Sequence, residues 1–228
     1  MNAIELIPAK RIVPVVVIND AAHAVPLAEA LVDSGIESIE VTLRTSAAMS
    51  AITAIAQSSV NIKVGAGSVA TPDQLRGVKD IGAEFAVCPG ATEALLDAAM
   101  RDSIPLVPGA STASEVLALL ERGYTLQKFF PAELLGGLDM IRALSAPIRA
   151  VQFFPTGGIH AGLAADYLSS PSVHCIGGSW FVPSAALDAG DFDEIRRLSC
   201  EAQALIPEYR VAHARRRSGP LLRRVGRA

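Results

Sequence analysis

The sequence predicts an α/β protein folded as a single (β/α)8 TIM barrel. Eight short runs rich in β-branched and aromatic residues alternate with Ala/Leu-rich segments of helical period. The runs recur about every 20–26 residues, close to the minimum for a parallel βα unit. No break in composition divides residues 1–208, so one barrel domain is predicted there. An open doubly wound sheet is the alternative, because periodicity does not show closure, but no GxGxxG opens the first helix.

The predicted elements follow in chain order. The strand runs are RIVPVVVI, SIEVTL, NIKVGAG, EFAVCPG, IPLVPG, LQKFFPA, AVQFFPTGG and VHCIGGSW. Helices are predicted between them, most clearly in AAHAVPLAEALVDSG, TSAAMSAITAIAQSS and TASEVLALLERG. Gly35, Gly82 and Gly123 stand where three helices are expected to end, as is typical of helix C-termini.

Composition restricts the location and the bound groups. No apolar run approaches the roughly 20 residues that a membrane span needs, and the N-terminal MNAIELIPAKR lacks the pattern of a signal peptide. A cytoplasmic protein without a membrane partner is therefore expected. The three cysteines have no CxxC spacing and the four histidines have no metal-ligand spacing, which predicts reduced, mostly buried thiols and no metal (Cys88, Cys175, Cys200; His23, His160, His174, His213).

Residues 209–228 differ in charge from the rest of the chain. They contain seven arginines and no acidic residue, whereas the whole chain has a formal net charge of −3. This tail is predicted to be disordered and solubilising. The alternative is that it binds nucleic acid or another acidic surface. We expect no nucleic-acid partner.

Chemically distinctive residues cluster near the ends of the predicted strands. In barrel enzymes the carboxyl ends of the strands carry the active site. The residues in question are Glu40, Arg44, Ser68, Pro89, Lys128, Thr156, Gly157, Gly158, Gly177, Gly178 and Ser179. If the strands close into a barrel, all of them converge on one rim.

Lys128 is the most unusual of these residues because it lies beside Phe129, Phe130 and Pro131. One interpretation is a strand-end lysine whose stem packs on apolar neighbours while its amine reaches water. The other is a catalytic lysine, whose apolar pocket lowers its pKa so that the neutral amine attacks a carbonyl. If Lys128 points into the barrel, Phe129 points outward to the helices.

Glu40 and Arg44 share the segment IEVTLRT. An inward carboxylate is costly unless it is paired, so Glu40 either forms a structural ion pair with Arg44 or Lys128 or transfers protons. Arg44 is suited to holding a carboxylate or a phosphate with its planar guanidinium.

Two double glycines, Gly157-Gly158 and Gly177-Gly178, follow the last two strands. Barrels frequently bind phosphate at this place, although tight turns alone would also require glycine. With the hydroxyl of Ser179 next to them, anion binding is favoured.

Six motifs, in order, resemble a known family: VPVVVINDAAHAVPLAEALVDSGIESIEVTLRT, VGAGSV, PLVPGAST, KFFPAE, FFPTGGI and CIGGSWFVP. They are similar to the class I pyruvate aldolases known as 2-keto-3-deoxy-6-phosphogluconate (KDPG) aldolase, often bifunctional with 4-hydroxy-2-oxoglutarate (KHG) aldolase. The resemblance covers about residues 7–206. It implies a homotrimeric (β/α)8 barrel that needs no cofactor.

The resemblance also implies roles for individual residues. Lys128 corresponds to the Schiff-base lysine, Glu40 to the acid/base glutamate and Arg44 to the arginine that holds the pyruvyl carboxylate. Ser68, usually threonine in the family, contacts the pyruvyl group, and Thr156 is linked to stereochemical control. The region that takes the substrate phosphate corresponds to Gly157, Gly158 and Ser179. Arg44 and Thr156 also separate the chain from a sister group that acts on the galactonate analogue.

The resemblance implies cleavage of KDPG to pyruvate and glyceraldehyde 3-phosphate, and of KHG to pyruvate and glyoxylate. The alternatives are another phosphate-binding barrel enzyme, such as an epimerase or isomerase, which would not need Lys128, and a non-catalytic barrel with a nucleic-acid-binding tail.

Overall fold

The computed structural model describes residues 3–9 and 11–206. The strands are β1 (Ile12–Val16), β2 (Ser38–Thr42), β3 (Lys63–Gly67), β4 (Phe85–Val87), β5 (Leu106–Val107), β6 (Leu126–Phe129), β7 (Gln152–Pro155) and β8 (Ile176–Gly178). The helices are α1 (Ala24–Asp33), α2 (Ala48–Gln57), α3 (Pro72–Asp80), α4 (Glu93–Arg101), α5 (Ala113–Glu121), α6 (Gly137–Ser145), α7 (Ala161–Ser169), α8 (Ser184–Asp188) and α9 (Phe192–Gln203). Short 3-10 helices cover Ala3–Glu5, Ala21–His23 and Glu133–Leu135. The predicted domain boundary at residue 208 and the predicted disordered tail, 209–228, lie outside the described residues.

All the strand pairs are parallel, as predicted. Six strands form one curled sheet in the order β5-β4-β3-β2-β1-β8, and β6 pairs with β7. Single parallel bridges, Gly109 to Lys128 and Thr156 to Gly177, stand at the two places where the sheets meet. The chain near these junctions carries Pro105, Pro108 and Pro155, and proline has no N–H to donate to a ladder.

The two faces of the strands belong to different hydrophobic clusters. Outward side chains such as Val41 and Phe129 join the helices in the larger cluster. Inward side chains such as Phe85 and Phe154 form a smaller cluster with Ile7. Phe129 therefore points outward from β6 while its neighbour Lys128 points inward, as the alternation of a strand requires.

Helix ends agree with the sequence-based expectation. Gly35, Gly82 and Gly123 follow α1, α3 and α5 with φ of 81°, 95° and 88°. These positive values favour glycine, which has no Cβ. At the start of α5, Thr112 and Glu115 form a reciprocal capping box, which satisfies N–H groups that the first turn leaves open.

Candidate active site

A buried ion pair lies in the interior of the strand layer. Lys128 Nζ on β6 donates to Glu40 Oε1 on β2 over 3.1 Å. The lysine is 4% exposed and the glutamate 0%. Of the two partners expected for a paired Glu40, the structure selects Lys128, and it places the amine inside the protein rather than in water.

The Glu40 side chain has room because Gly67, on the neighbouring strand β3, has no side chain. A Cβ at Gly67 would lie 2.2 Å from Glu40 Oε1 and 2.6 Å from its Cγ, closer than atoms can approach. The second carboxylate oxygen, Oε2, is buried and has no hydrogen-bond partner among the described residues. A buried acceptor left unpaired is costly, so Oε2 is suited to a proton donor brought by a ligand.

The backbone of β6 and the ring of Phe130 hold Lys128 in place. The Lys128 N–H donates to Pro108 O over 2.8 Å, and its carbonyl accepts from Ala110 N over 2.9 Å. The Phe130 ring centroid lies 5.5 Å from Nζ, within cation–π range. The amine therefore has a fixed approach direction, which a nucleophile needs.

Cys88 is a further buried group within electrostatic reach of the pair. Burial, with a smaller contribution from Glu40, raises the pKa of the Cys88 thiol to about 12, and Lys128 acts in the opposite direction. The thiol is therefore neutral at ordinary pH and adds no charge beside the Lys128–Glu40 ion pair. Cys88 and Cys175 are buried, whereas Cys200 on α9 is exposed, which agrees with the prediction that most of the thiols are buried.

Arg44 follows β2 and is anchored to the end of β3. Its Nε donates to Ser68 Oγ over 3.2 Å. Ser68 has φ of 60°, a left-handed conformation that residues other than glycine seldom adopt. Among residues 3–9 and 11–206, no carboxylate forms an ion pair with Arg44. Its exposed guanidinium is thus available to an anion from solution.

A cavity of about 230 Å³ gathers most of the other predicted residues. Its walls are formed by Val15, Val17, Arg44, Phe130, Thr156, Gly157, Gly158, Ile159, Gly177, Gly178, Ser179, Val182 and Ser184. Thr156 Oγ1 is buried there without a hydrogen-bond partner in the described chain. A Cβ at Gly177 would lie 2.4 Å from that oxygen, so this glycine makes room for the hydroxyl.

Gly157 and Gly158 form the turn after β7 with φ of 103° and 80°. Both values lie in the region that favours glycine. A tight turn is therefore present at this double glycine, and it lines the cavity together with Ser179; the favoured anion binding stays a prediction.

Four predicted site residues do not line this cavity: Glu40, Ser68, Pro89 and Lys128. Pro89 is exposed. Its carbonyl instead lies against the backbone after β5, because a Cβ on Gly109 would come within 2.4 Å of Pro89 O. Conversely, Phe130 and Ser184 line the cavity but were not singled out from the sequence. The FFP motif could have identified Phe130, whereas nothing local marks Ser184.

The described residues offer neither a cluster of metal ligands nor a helix that could span a membrane. Within them, no three His, Cys, Asp or Glu side chains come together in a way that could hold a metal ion. Over the same residues, none of the helices combines the length and the apolar character needed to cross a membrane.

Comparison with known proteins agrees with this geometry. The family model described as "Aldolase: KDPG and KHG aldolase" matches residues 4–198. The chain belongs to the KDPG and KHG aldolase family. Among the curated relatives of this family member, the KHG/KDPG aldolase of Escherichia coli K12 is 50% identical over 191 residues, which are 84% of this chain and 90% of the relative.

Solved structures of aldolases are similar to this chain over most of its length. One is a KDPG aldolase from Legionella pneumophila with pyruvate captured at low pH as a covalent carbinolamine intermediate; it has a TM-score of 0.85, is 40% identical, and the match covers 89% of this chain and 98% of that one. Another is the aldolase of Zymomonas mobilis ZM4 with 3-phosphoglycerate, with a TM-score of 0.82, 40% identity, and coverage of 89% and 94%.

Proposed function

We propose that the protein is a class I aldolase that cleaves KDPG to pyruvate and glyceraldehyde 3-phosphate, and KHG to pyruvate and glyoxylate. The observation that carries the proposal is the buried pair of Lys128 and Glu40, 3.1 Å apart. A covalent carbinolamine in a relative 40% identical to this chain supports it. An amine and a carboxylate in contact supply the nucleophile and the proton carrier that this chemistry requires.

The reaction begins when a proton passes from Lys128 to Glu40 and leaves a neutral amine. The amine nitrogen attacks the C2 ketone of the substrate, and the ketone oxygen takes up a proton to give a carbinolamine. Loss of water then yields a protonated imine, which can accept an electron pair. This sequence needs neither a metal nor a nucleotide.

Cleavage follows on the same imine. The Glu40 carboxylate removes the proton of the C4 hydroxyl, the C3–C4 bond breaks, and its electron pair moves into the imine to form an enamine. C4 leaves as the aldehyde carbon of glyceraldehyde 3-phosphate. Glu40 then returns the proton to C3, and hydrolysis of the imine releases pyruvate and regenerates Lys128.

In this proposal the remaining residues bind the two ends of the substrate. Arg44, anchored by Ser68, holds the pyruvyl carboxylate, and Ser68 contacts the pyruvyl group. Oγ1 of Thr156, buried and without a hydrogen-bond partner among the described residues, bonds the hydroxyl at the aldol carbon, which orients that centre. Pro89 is proposed to shape the pyruvyl side through its backbone.

The proposed phosphate site is formed by Gly157, Gly158 and Ser179. All three line the cavity that Arg44 also lines, and a relative was solved with a phosphorylated acid.

Substitution of Gly158 by a bulky residue is a poor test of this phosphate site, because its Cβ would lie 2.7 Å from Glu133 Cβ at a positive φ. Ser179→Ala is cleaner: we expect KM to rise for KDPG and to stay the same for KHG, which carries no phosphate.

We also propose that the eight strands close into one barrel, that three copies form a homotrimer, and that the protein is cytoplasmic. The bridges from Gly109 to Lys128 and from Thr156 to Gly177 support closure, because they stand at both junctions between the two sheets. Sedimentation of the purified protein tests the trimer.

The decisive experiment is reduction with borohydride in the presence of pyruvate, followed by peptide mapping. We expect pyruvate on the peptide that contains Lys128 and on no peptide with Lys10, Lys63 or Lys79. Label on another lysine contradicts the proposed function. An epimerase or isomerase of the same fold would retain its activity without this amine, and a non-catalytic barrel would trap no pyruvate.

A further inference from the structure

The Gly157-Gly158 loop rests on the segment that follows β6. Ala132 N donates to Thr156 O over 2.8 Å, and Glu133 N donates to Gly157 O over 3.1 Å. These two backbone bonds join the loop to the 3-10 helix Glu133–Leu135. The position of the loop therefore depends on where Glu133 is held.

The side chain of Glu133 lies directly behind Gly158. A Cβ built on Gly158 would lie 2.7 Å from Glu133 Cβ and 2.9 Å from its Cγ. On its other side, a Cβ on Gly137 would lie 2.8 Å from Glu133 Oε1 and 3.0 Å from the Tyr167 hydroxyl. Since both neighbours are glycines, the Glu133 side chain packs closely between two backbones.

The carboxylate of Glu133 is held by Tyr167, whose hydroxyl donates to Oε1. Tyr167 is buried on α7, the helix that follows the loop. Burial, this hydrogen bond and the negative charge of Glu133 all raise the pKa of Tyr167, so the hydroxyl keeps its proton as the donor. Glu133 is thus connected through its backbone to the start of the loop and through its side chain to α7.

The carboxylate also points away from the proposed phosphate site. Glu133 and Tyr167 do not line the cavity of Gly157 and Gly158. They line a separate cavity of about 450 Å³, with Gly136, Gly137, Leu138, Asp139, Arg142, Leu163 and Asp166. The Tyr167 hydroxyl therefore holds a negative charge outside the place where a phosphate would bind.

We infer that Glu133 and Tyr167 are positioning residues for the phosphate end of the substrate, because their hydrogen bond fixes the Gly157-Gly158 loop. The inference rests on the proposed function. The Tyr167–Glu133 hydrogen bond does not include Lys128 or Glu40, and the Lys128–Glu40 hydrogen bond joins β6 directly to β2. Loss of the bond should therefore weaken binding of the phosphorylated substrate and leave the imine chemistry intact.

The test compares Tyr167→Phe and Glu133→Ala with the wild type in two assays. One is cleavage of KDPG; the other is borohydride trapping of pyruvate, which carries no phosphate. We expect KM for KDPG to rise about five- to tenfold, as for the loss of one hydrogen bond of ordinary strength, with kcat and half-saturation by pyruvate within twofold. Tyr124→Phe, the same change at the opposite end of β6, is the matched control and should alter neither assay.

Glu133→Gln serves as the rescue variant, because its side-chain oxygen can still accept from Tyr167. We expect its KM for KDPG to return to within about twofold of the wild type. Thermal melting shows that the compared variants are folded. An unchanged KM for KDPG in Tyr167→Phe, or equal losses in both assays, overturns the inference. Failure of the wild type to trap pyruvate on Lys128 would instead overturn the proposed function.

Discussion

The ammonium group of Lys128 and the carboxylate of Glu40 stabilise each other in a buried site. Burying either charge alone would cost several kcal/mol. The pair is formed across 88 positions of sequence. Removing one partner therefore affects both the chemistry and the charge balance of the interior, and the two effects must be measured separately.

Substitution of Lys128 separates charge from nucleophilicity. Lys128→Arg keeps the positive charge but cannot form an imine, so we expect cleavage of KDPG to fall by about a thousandfold or more. Lys128→Ala should be equally inactive. Glu40→Gln should still trap pyruvate, slowly, because the amine remains while the proton carrier is lost. Cleavage assays and borohydride trapping measure these outcomes; cleavage by the arginine variant would contradict the assigned role of Lys128.

The raised pKa of Cys88 predicts a pH dependence of stability. In the unfolded chain the thiol has its ordinary pKa of 9.0, whereas burial raises the pKa of the folded thiol to about 12. Between these values the folded state binds one more proton, so the free energy of unfolding falls as pH rises, by about 1 kcal/mol at pH 10 relative to pH 8. Urea unfolding of wild type and Cys88→Ala measures this. An equal loss in the two proteins would contradict it.

At the scale of elements, β2 and the residues after it supply both charged groups, and β3 accommodates them. Glu40 occupies the space that Gly67 leaves empty, and Arg44 donates to Ser68, the residue that follows Gly67. The pairing of β2 with β3 therefore fixes where the carboxylate and the guanidinium lie.

Gly67→Ala tests this dependence. Because its Cβ would lie 2.2 Å from Glu40 Oε1, we expect the carboxylate to move, kcat to fall by about tenfold or more, and stability to fall by about 1–3 kcal/mol. Gly77→Ala in α3 is the matched control, since its Cβ would meet only the flexible end of Met49 at 3.3 Å. Steady-state kinetics and thermal melting provide the comparison. Wild-type activity in Gly67→Ala would refute the close fit.

Local sequence was sufficient to predict most elements but not their exact lengths. The three glycines after α1, α3 and α5 and the alternation on β6 were predicted because each depends on nearby residues. β5 is only Leu106–Val107, shorter than the predicted run IPLVPG, since Pro105 and Pro108 limit its ladder. The choice of Lys128 over Arg44 as the partner of Glu40 depends on how distant strands come together, and so does the position of Ser184 in the cavity wall. No local pattern determines either.

At the scale of the whole molecule, the site is formed by residues from both ends of the described chain. The cavity walls extend from Val15 to Ser184. We therefore expect a chain truncated after Tyr209 to cleave KDPG at a rate within about twofold of the full chain, because the cavity walls in the described residues are already complete before that point. Turnover and sedimentation of the two chains are the measurements. A large loss in a folded truncated chain would show that the arginine-rich segment contributes to catalysis.

The pairing of β1 with β8 joins Ile12 to Ile176, and this sets the order of events during synthesis. At about 5–20 residues per second, a ribosome needs on the order of 10–30 s to make the intervening chain. Throughout that time, one side of β1 offers unpaired N–H and C=O groups to any other strand. The nascent chain is thus exposed to mispairing at its first strand until its last strand emerges.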